Sequence, residues 1–260
     1  MNAAHPLYLP AMIITEENCF YPDQTVYFDP ASHGYEKEVL WIDGKINCWF
    51  IRPNTNQPKP STIVHLHGNA ENMTSHITGA LFLLERGYPL LCFDYCGYGQ
   101  SNGMPTLAGI QDDARAVFNH ILDNPEKYTE NIIGFGQSMG AYTLARVLPD
   151  FPWIKGAILE AGLYSFYDLF AQAYPQIECR VPNEGLSALD TLPSTLAPKL
   201  FIHGTSDTVV PYSHSIRMHD VSTGPKELIL LEGVGHMEPV VSLHAQRYKN
   251  AILSFIEQFS

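Results

Sequence analysis

The sequence predicts an α/β fold: a mostly parallel central sheet with helices on both faces and an antiparallel hairpin near its N-terminal end. Three observations carry that expectation. From Ser61 onward, short apolar runs alternate with stretches of 3.6-residue periodicity. Before Ser61, two strand-like runs flank Asp43-Gly44, a dipeptide suited to a hairpin turn. The chain has 260 residues, 45% of them hydrophobic. That is enough to bury one large core, so residues 1–260 are expected to form one domain.

The hairpin pairs residues 38–42 with 45–51, and the polar stretch 54–60 leads out of it. Residues 61–66 form an apolar strand ending at His67-Gly68-Asn69. Residues 73–85 read as one helix, with Ile77, Leu81 and Leu84 on one face and Gly87 closing it. The strand 89–93 ends at Asp94. Thr106 caps a helix whose apolar residues Leu107, Ile110, Ala114, Val117, Phe118 and Ile121 share one face. A strand at 132–135 runs into a helix at 139–148 that Pro149 stops. Strands at 157–159, 199–203 and 227–231 follow. A closing helix over 241–259 should turn His244, Tyr248, Ala251, Ile252, Phe255 and Phe259 to the core.

One segment breaks the alternation. Residues 163–198 are aromatic and loop-rich, with Tyr164, Phe166, Tyr167, Phe170 and Tyr174 followed by four prolines. A crossover needs only about a dozen residues. The excess is expected as a short cap-like or loop-rich insertion over the strand ends where α/β sheets bind ligands.

Charge excludes some functions. Charged residues are 16% of the chain, and 27 acidic against 15 basic give a formal charge of −12. With no Lys/Arg cluster, a nucleic-acid partner is not expected. The five cysteines are an odd number without metal-type spacing, which fits a reducing, cytoplasmic setting. The apolar patch at 7–14 lacks a positive flank and contains Pro10, so a signal peptide is not expected. No run approaches 18 apolar residues, which argues against a spanning helix and leaves peripheral membrane contact open. No metal or cofactor is expected, since neither H-E-x-x-H nor G-x-G-x-x-G occurs in a fitting context.

The chemistry centres on Gly136-Gln137-Ser138-Met139-Gly140. A serine between glycines, where a buried strand turns into a helix, is what a nucleophile elbow requires. Composition alone would place G-x-S-x-G in roughly one chain in ten of this length, so its context has to carry the assignment. A serine hydroxyl needs a base, and the base needs an orienting acid. Asp207 lies just past one strand and His236 in the glycine-rich turn past the next. In a parallel sheet such loops lie side by side and can converge on Ser138.

Competing carboxylates are Glu160, at the end of the strand after the elbow helix, and Asp94. Asp207 is preferred because its 28-residue interval to His236 accommodates a helix and a strand; Glu232 sits too close to His236 along the chain. Asp207 could instead cap the helix expected near 211–221. His219 and His244 fall in expected helices, where packing or solvent contact is their simplest role. An oxyanion hole would use the N–H of Met139, at a helix N-terminus, and that of Asn69. The His67 ring is expected to brace the Asn69 loop, and the loop 94–101 to be structural.

On His67-Gly68-Asn69, Asp94-Tyr95-x-Gly97-Tyr98-Gly99-x-Ser101, Gly136-x-Ser138-x-Gly140, His203-Gly204-Thr205-x-Asp207 with Val210-Pro211, and Gly235-His236, the chain resembles the α/β-hydrolase superfamily. The likeness is closest to its Bem46-like and abhydrolase-domain serine hydrolases. It implies Ser138 as nucleophile, Asp207 as acid, His236 as base, and Asn69 and Met139 as the oxyanion hole. The chain departs from its relatives at Cys96, where they commonly carry arginine. That change should cost a structural ion pair, leaving Cys96 as an accessory thiol near the site.

The expected function is hydrolysis of a carboxylic ester or thioester, on a small-molecule or acylated substrate, through an acyl-enzyme. A small amide or peptide hydrolase, and a non-catalytic binding protein that kept the fold, are the alternatives.

Overall fold

A computed structural model describes residues 13–260. Most of the apolar patch at 7–14 therefore lies outside the described residues; only Ile13 and Ile14 fall within them. Eight strands form the central sheet: β1 (Glu36–Ile42), β2 (Ile46–Arg52), β3 (Ser61–Leu66), β4 (Leu90–Phe93), β5 (Asn131–Gln137), β6 (Gly156–Glu160), β7 (Lys199–Gly204) and β8 (Lys226–Leu231). Their order is β8-β7-β6-β5-β3-β4-β2-β1. β2 is antiparallel to both of its neighbours, and every other pair in the sheet is parallel. The predicted hairpin is therefore present. Asp43 and Gly44 both take positive φ at its turn, and the Lys45 N–H donates to the Ile42 carbonyl.

β3 sits between β4 and β5, so the winding direction reverses beside it. The ends of β3 and β5 thus flank a topological switch point, the place where open α/β sheets bind ligands. Asn69 follows one strand and Ser138 the other.

Both sheet faces are covered. Helices α3 (Gly109–Asp123) and α4 (Met139–Val147) pack one core layer, around Phe118, Leu144 and Phe201. The other face is closed by α1 (Met73–His76), α2 (Leu81–Glu85) and α8 (Ala245–Phe259), around Ile133, Leu83 and Phe255. The Thr106 hydroxyl does cap α3, accepting the Gly109 N–H at 2.9 Å.

Two expectations are corrected. Residues 73–85 are not one helix: Ile77–Gly79 is a 3-10 turn between α1 and α2. Within that turn Gly79 packs on the Gln137 amide, where a Cβ would come within 3.2 Å. The closing helix begins at Ala245, because Pro239–Val241 forms a separate 3-10 turn. Its buried face is Tyr248, Ile252, Phe255 and Ile256, while the His244 ring contacts the Glu232 carbonyl 3.1 Å away.

Residues 163–198 hold short elements joined by loops. They carry α5 (Phe166–Ala173), a two-residue strand Glu178–Cys179 pairing with Ile13–Ile14, and α6 (Ala188–Thr191). Ser165 caps α5 by accepting the Asp168 N–H at 3.1 Å. α7 (Ser213–Val221) completes the described helices. Among the described residues, no helix is long and apolar enough to cross a membrane.

Candidate active site

Ser138 occupies a backbone conformation that L-residues avoid, φ 53° and ψ −112°. Two glycines make it reachable. A Cβ on Gly140 would overlap the Leu66 carbonyl oxygen, and one on Gly136 would overlap the Gly140 carbonyl. α4 therefore leaves the sheet pressed against β3, with side chains excluded on both sides of the serine. The Ser138 N–H donates to the Glu160 carbonyl at 2.8 Å, continuing the β5–β6 ladder into the turn.

The three expected residues meet. The His236 Nε2 lies 3.1 Å from the Ser138 Oγ, and its Nδ1 lies 2.6 Å from the Asp207 Oδ2. Gly204 lets the two outer loops nest, since a Cβ there would overlap the Val234 carbonyl oxygen. The Thr205 and Ser206 N–H groups then bond the Leu231 and Val234 carbonyls.

Asp207 does not cap α7. Its Oδ1 accepts the N–H groups of Val209 and Val210, both at 2.8 Å, and its Oδ2 also faces the His203 Nε2 at 3.1 Å. Burial opposes its ionisation, but the bonds from His203 and His236 and the backbone outweigh that and hold the carboxyl far below the usual range.

Glu160 is placed differently. Its Oε2 accepts the Gln137 amide and the Tyr248 hydroxyl, each at 2.8 Å, and Gln137 bonds the His65 Nε2 at 2.8 Å. Burial pushes this carboxyl up, and the carboxylate that meets His236 is that of Asp207. Asp94 is also pushed up by burial, to about 7, and accepts the Met73 N–H at 2.7 Å. His67 lies 3.5 Å from Asp94 but forms its hydrogen bond elsewhere, to the Gly68 carbonyl at 2.6 Å. Its ring packs on Tyr95 and Tyr98, and the Tyr98 hydroxyl donates to the Asn69 Oδ1 at 2.7 Å. The loop 94–101 and His67 thus brace the Asn69 segment.

Asn69 and Met139 both border a cleft of about 530 Å³ that also holds Ser138 and His236. Met139 opens α4, so its N–H has no partner within the helix. Leu163, Phe166, Leu169 and Phe170 form the apolar wall opposite. Cys96 does not border the cleft. Its thiol lies 3.2 Å from Asp113, and burial followed by that carboxylate pushes it up to about 11, which leaves a poor nucleophile. Asp113 takes its cation from Lys45 instead, whose Nζ lies 3.2 Å from its Oδ1.

Two further histidines, His76 and His203, hold the site. The His76 Nε2 donates to the Ala70 carbonyl at 2.9 Å and its ring packs on Gly68, stiffening the Asn69 loop. Nothing in its local pattern announces this. His203 carried a signal, because it stands four residues before Asp207 at a strand end.

Fold and site together define an α/β-hydrolase, and the chain belongs to that superfamily. The family model described as serine aminopeptidase, S33, matches residues 57–181. The uncharacterized protein YfhR of Escherichia coli is 30% identical over 244 residues, covering 91% of this chain and 85% of the relative. Alpha/beta hydrolase domain-containing protein 17C of Mus musculus is 27% identical over 220 residues, covering 82% and 64%. The fold is that of the Pyrococcus furiosus esterase Pf2001, at a TM-score of 0.76 and 20% identity, covering 92% of this chain and 99% of that one.

Two outcomes test this geometry. Gly140→Ala must displace α4 from β3; the expected loss is about 1–3 kcal/mol, and an unchanged melting temperature would contradict it. Asp207 titrates below its unfolded value of about 3.9, so its stabilisation is present above that pH and lost as pH falls through the folded value. Asp207→Asn should therefore be less stable than the parent near neutrality, with the gap closing below about pH 4. A gap that widens on acidification would refute the assignment.

Proposed function

We propose that the protein is a serine hydrolase that cleaves a carboxylic ester or thioester through an acyl-enzyme. The observation that carries this reading is the hydrogen-bonded series Ser138–His236–Asp207 opening into an apolar cleft. The His236 Nε2 takes the Ser138 hydroxyl proton as Oγ attacks the carbonyl carbon. Asp207 keeps the imidazole oriented and favours the imidazolium that forms. The N–H groups of Asn69 and Met139 receive the developing oxyanion. The imidazolium returns its proton to the leaving oxygen or sulfur, and the C–O or C–S bond breaks. Water, deprotonated by the same histidine, then attacks the acyl-enzyme and frees the acid and the serine.

The wall of Leu163, Phe166, Leu169 and Phe170 suits an acyl chain, and residues 163–198 are read as a cap over it within a single domain. The esterase description of Pf2001 agrees with this choice. The aminopeptidase description of the matching family favours an amide instead. A free amino terminus, however, needs a carboxylate to hold its ammonium group, and no Asp or Glu borders the cleft among the described residues. A non-catalytic binding protein would have no use for a strained serine aligned with a base.

Ser138→Ala should lower hydrolysis of p-nitrophenyl esters by about three orders of magnitude or more and abolish fluorophosphonate labelling. Parent-level turnover in that variant sinks the reading. Among matched substrates, esters and thioesters with an apolar acyl chain should be cleaved and the corresponding amides should not. Faster cleavage of the amides would favour the peptidase alternative.

A further inference from the structure

Asp207 is bonded to two histidines, and the mechanism above uses only His236. The second, His203, is fully buried at the end of β7. Its Nε2 faces two acceptors, the Asp207 Oδ2 at 3.1 Å and the Val210 carbonyl oxygen at 2.8 Å. Two acceptors can be satisfied only if that nitrogen carries a proton. On the other side of the ring, Nδ1 lies 2.7 Å from the Ser215 Oγ, whose hydroxyl can donate to it. Local hydrogen bonding therefore selects the Nε2–H tautomer.

We propose that His203 is a positioning residue of the hydrolytic site, donating to the same carboxylate oxygen that receives the His236 Nδ1–H. The inference rests on the Ser138–His236–Asp207 reading. It extends that series by two members, to Ser138–His236–Asp207–His203–Ser215.

Asp207 Oδ1 is held by two backbone N–H groups, so Oδ2 alone addresses the two rings. An oxygen with two N–H donors divides its charge between them. Without the His203 donor, Oδ2 would face His236 alone, concentrating its charge there and favouring the imidazolium. The carboxylate would also lose one of the contacts that aim it.

The groups around His203 are few. His214 on α7 is held down to about 4, mainly by burial, and is neutral over the working range; Arg217 and Asp168 act on it in turn. Glu160 approaches from the end of β6, with its carboxyl pushed up by burial. Asp207 and His236 come from the two outer loops, and Ser215 does not titrate.

The test compares His203→Gln, whose side-chain amide can still donate to Oδ2, with His203→Met, which has similar bulk and no donor. The pH profile of kcat/KM is measured with p-nitrophenyl butyrate. The Met variant should move the acidic limb upward by about half a pH unit and lower kcat about tenfold, with KM changed by less than about twofold. The Gln variant should keep the parent limb. Equal losses in both variants without movement of the limb overturn the proposal.

Nitrogen-15 histidine spectra of the parent protein give a reading that does not depend on how the variants fold. His203 should appear as the Nε2–H tautomer, and its signal should move across the acidic limb of the kcat/KM profile. An Nδ1–H tautomer, or a signal flat across that limb, overturns the proposal. If the parent shows no Ser138-dependent turnover while the His203 signal still follows His236, the hydrolase reading fails and the coupling stands.

Discussion

The close approach of α4 to β3 at Gly140 is the contact on which the rest of the site depends. Backbone meets backbone there, since a Cβ would overlap the Leu66 carbonyl oxygen. That approach lets the chain reverse within a single residue, and Ser138 takes up the reversal with a positive φ. Such a conformation costs about 1–3 kcal/mol and persists only when its surroundings over-determine it. Here the surroundings are the Glu160 carbonyl, which accepts the Ser138 N–H, and the Tyr142 N–H, which donates to the Ser138 carbonyl. Loosening either glycine would move the hydroxyl away from His236 before any charged group was touched.

Three buried carboxyl groups near these strand ends have different fates, decided by donors more than by depth. Asp207 collects four N–H donors and stays ionised despite burial. Glu160 has an amide and a hydroxyl for company, and Asp94 chiefly backbone N–H groups; for both, burial dominates and the carboxyl is pushed up. The same residue chemistry thus yields an anion beside His236 and structural hydrogen-bonding groups elsewhere. In a chain with few charges, this placement keeps one full anionic charge against His236.

The cleft gains its apolar wall from a segment that contributes little to the sheet. α5 lines the cleft with Phe166, Leu169 and Phe170. The Tyr164 hydroxyl, bonded to Gln172 on α5 and Arg217 on α7, ties this wall to α7. His76 and the Tyr98 hydroxyl hold the opposite wall through the Asn69 loop. Both walls are therefore fastened to the loops that carry the polar groups.

The strand and helix alternation, the hairpin at Asp43-Gly44, and the glycine-flanked serine with an acid and a base in order behind it are all legible in the amino-acid order. Those features are local: periodicity, a positive φ, or the absence of a side chain can be read from a few neighbouring letters. Packing puts Asp207 rather than Glu160 against His236, because strand order sets β7 and β8 side by side while Gln137 and Tyr248 occupy the Glu160 carboxyl. It also decided the bracing by His76, the second histidine on Asp207, the Lys45–Asp113 pair beside Cys96, and the folding of 163–198 into a wall. The spacing of His203, Asp207 and His236 hints at their meeting; the other contacts join side chains from separate elements, and local spacing does not encode them.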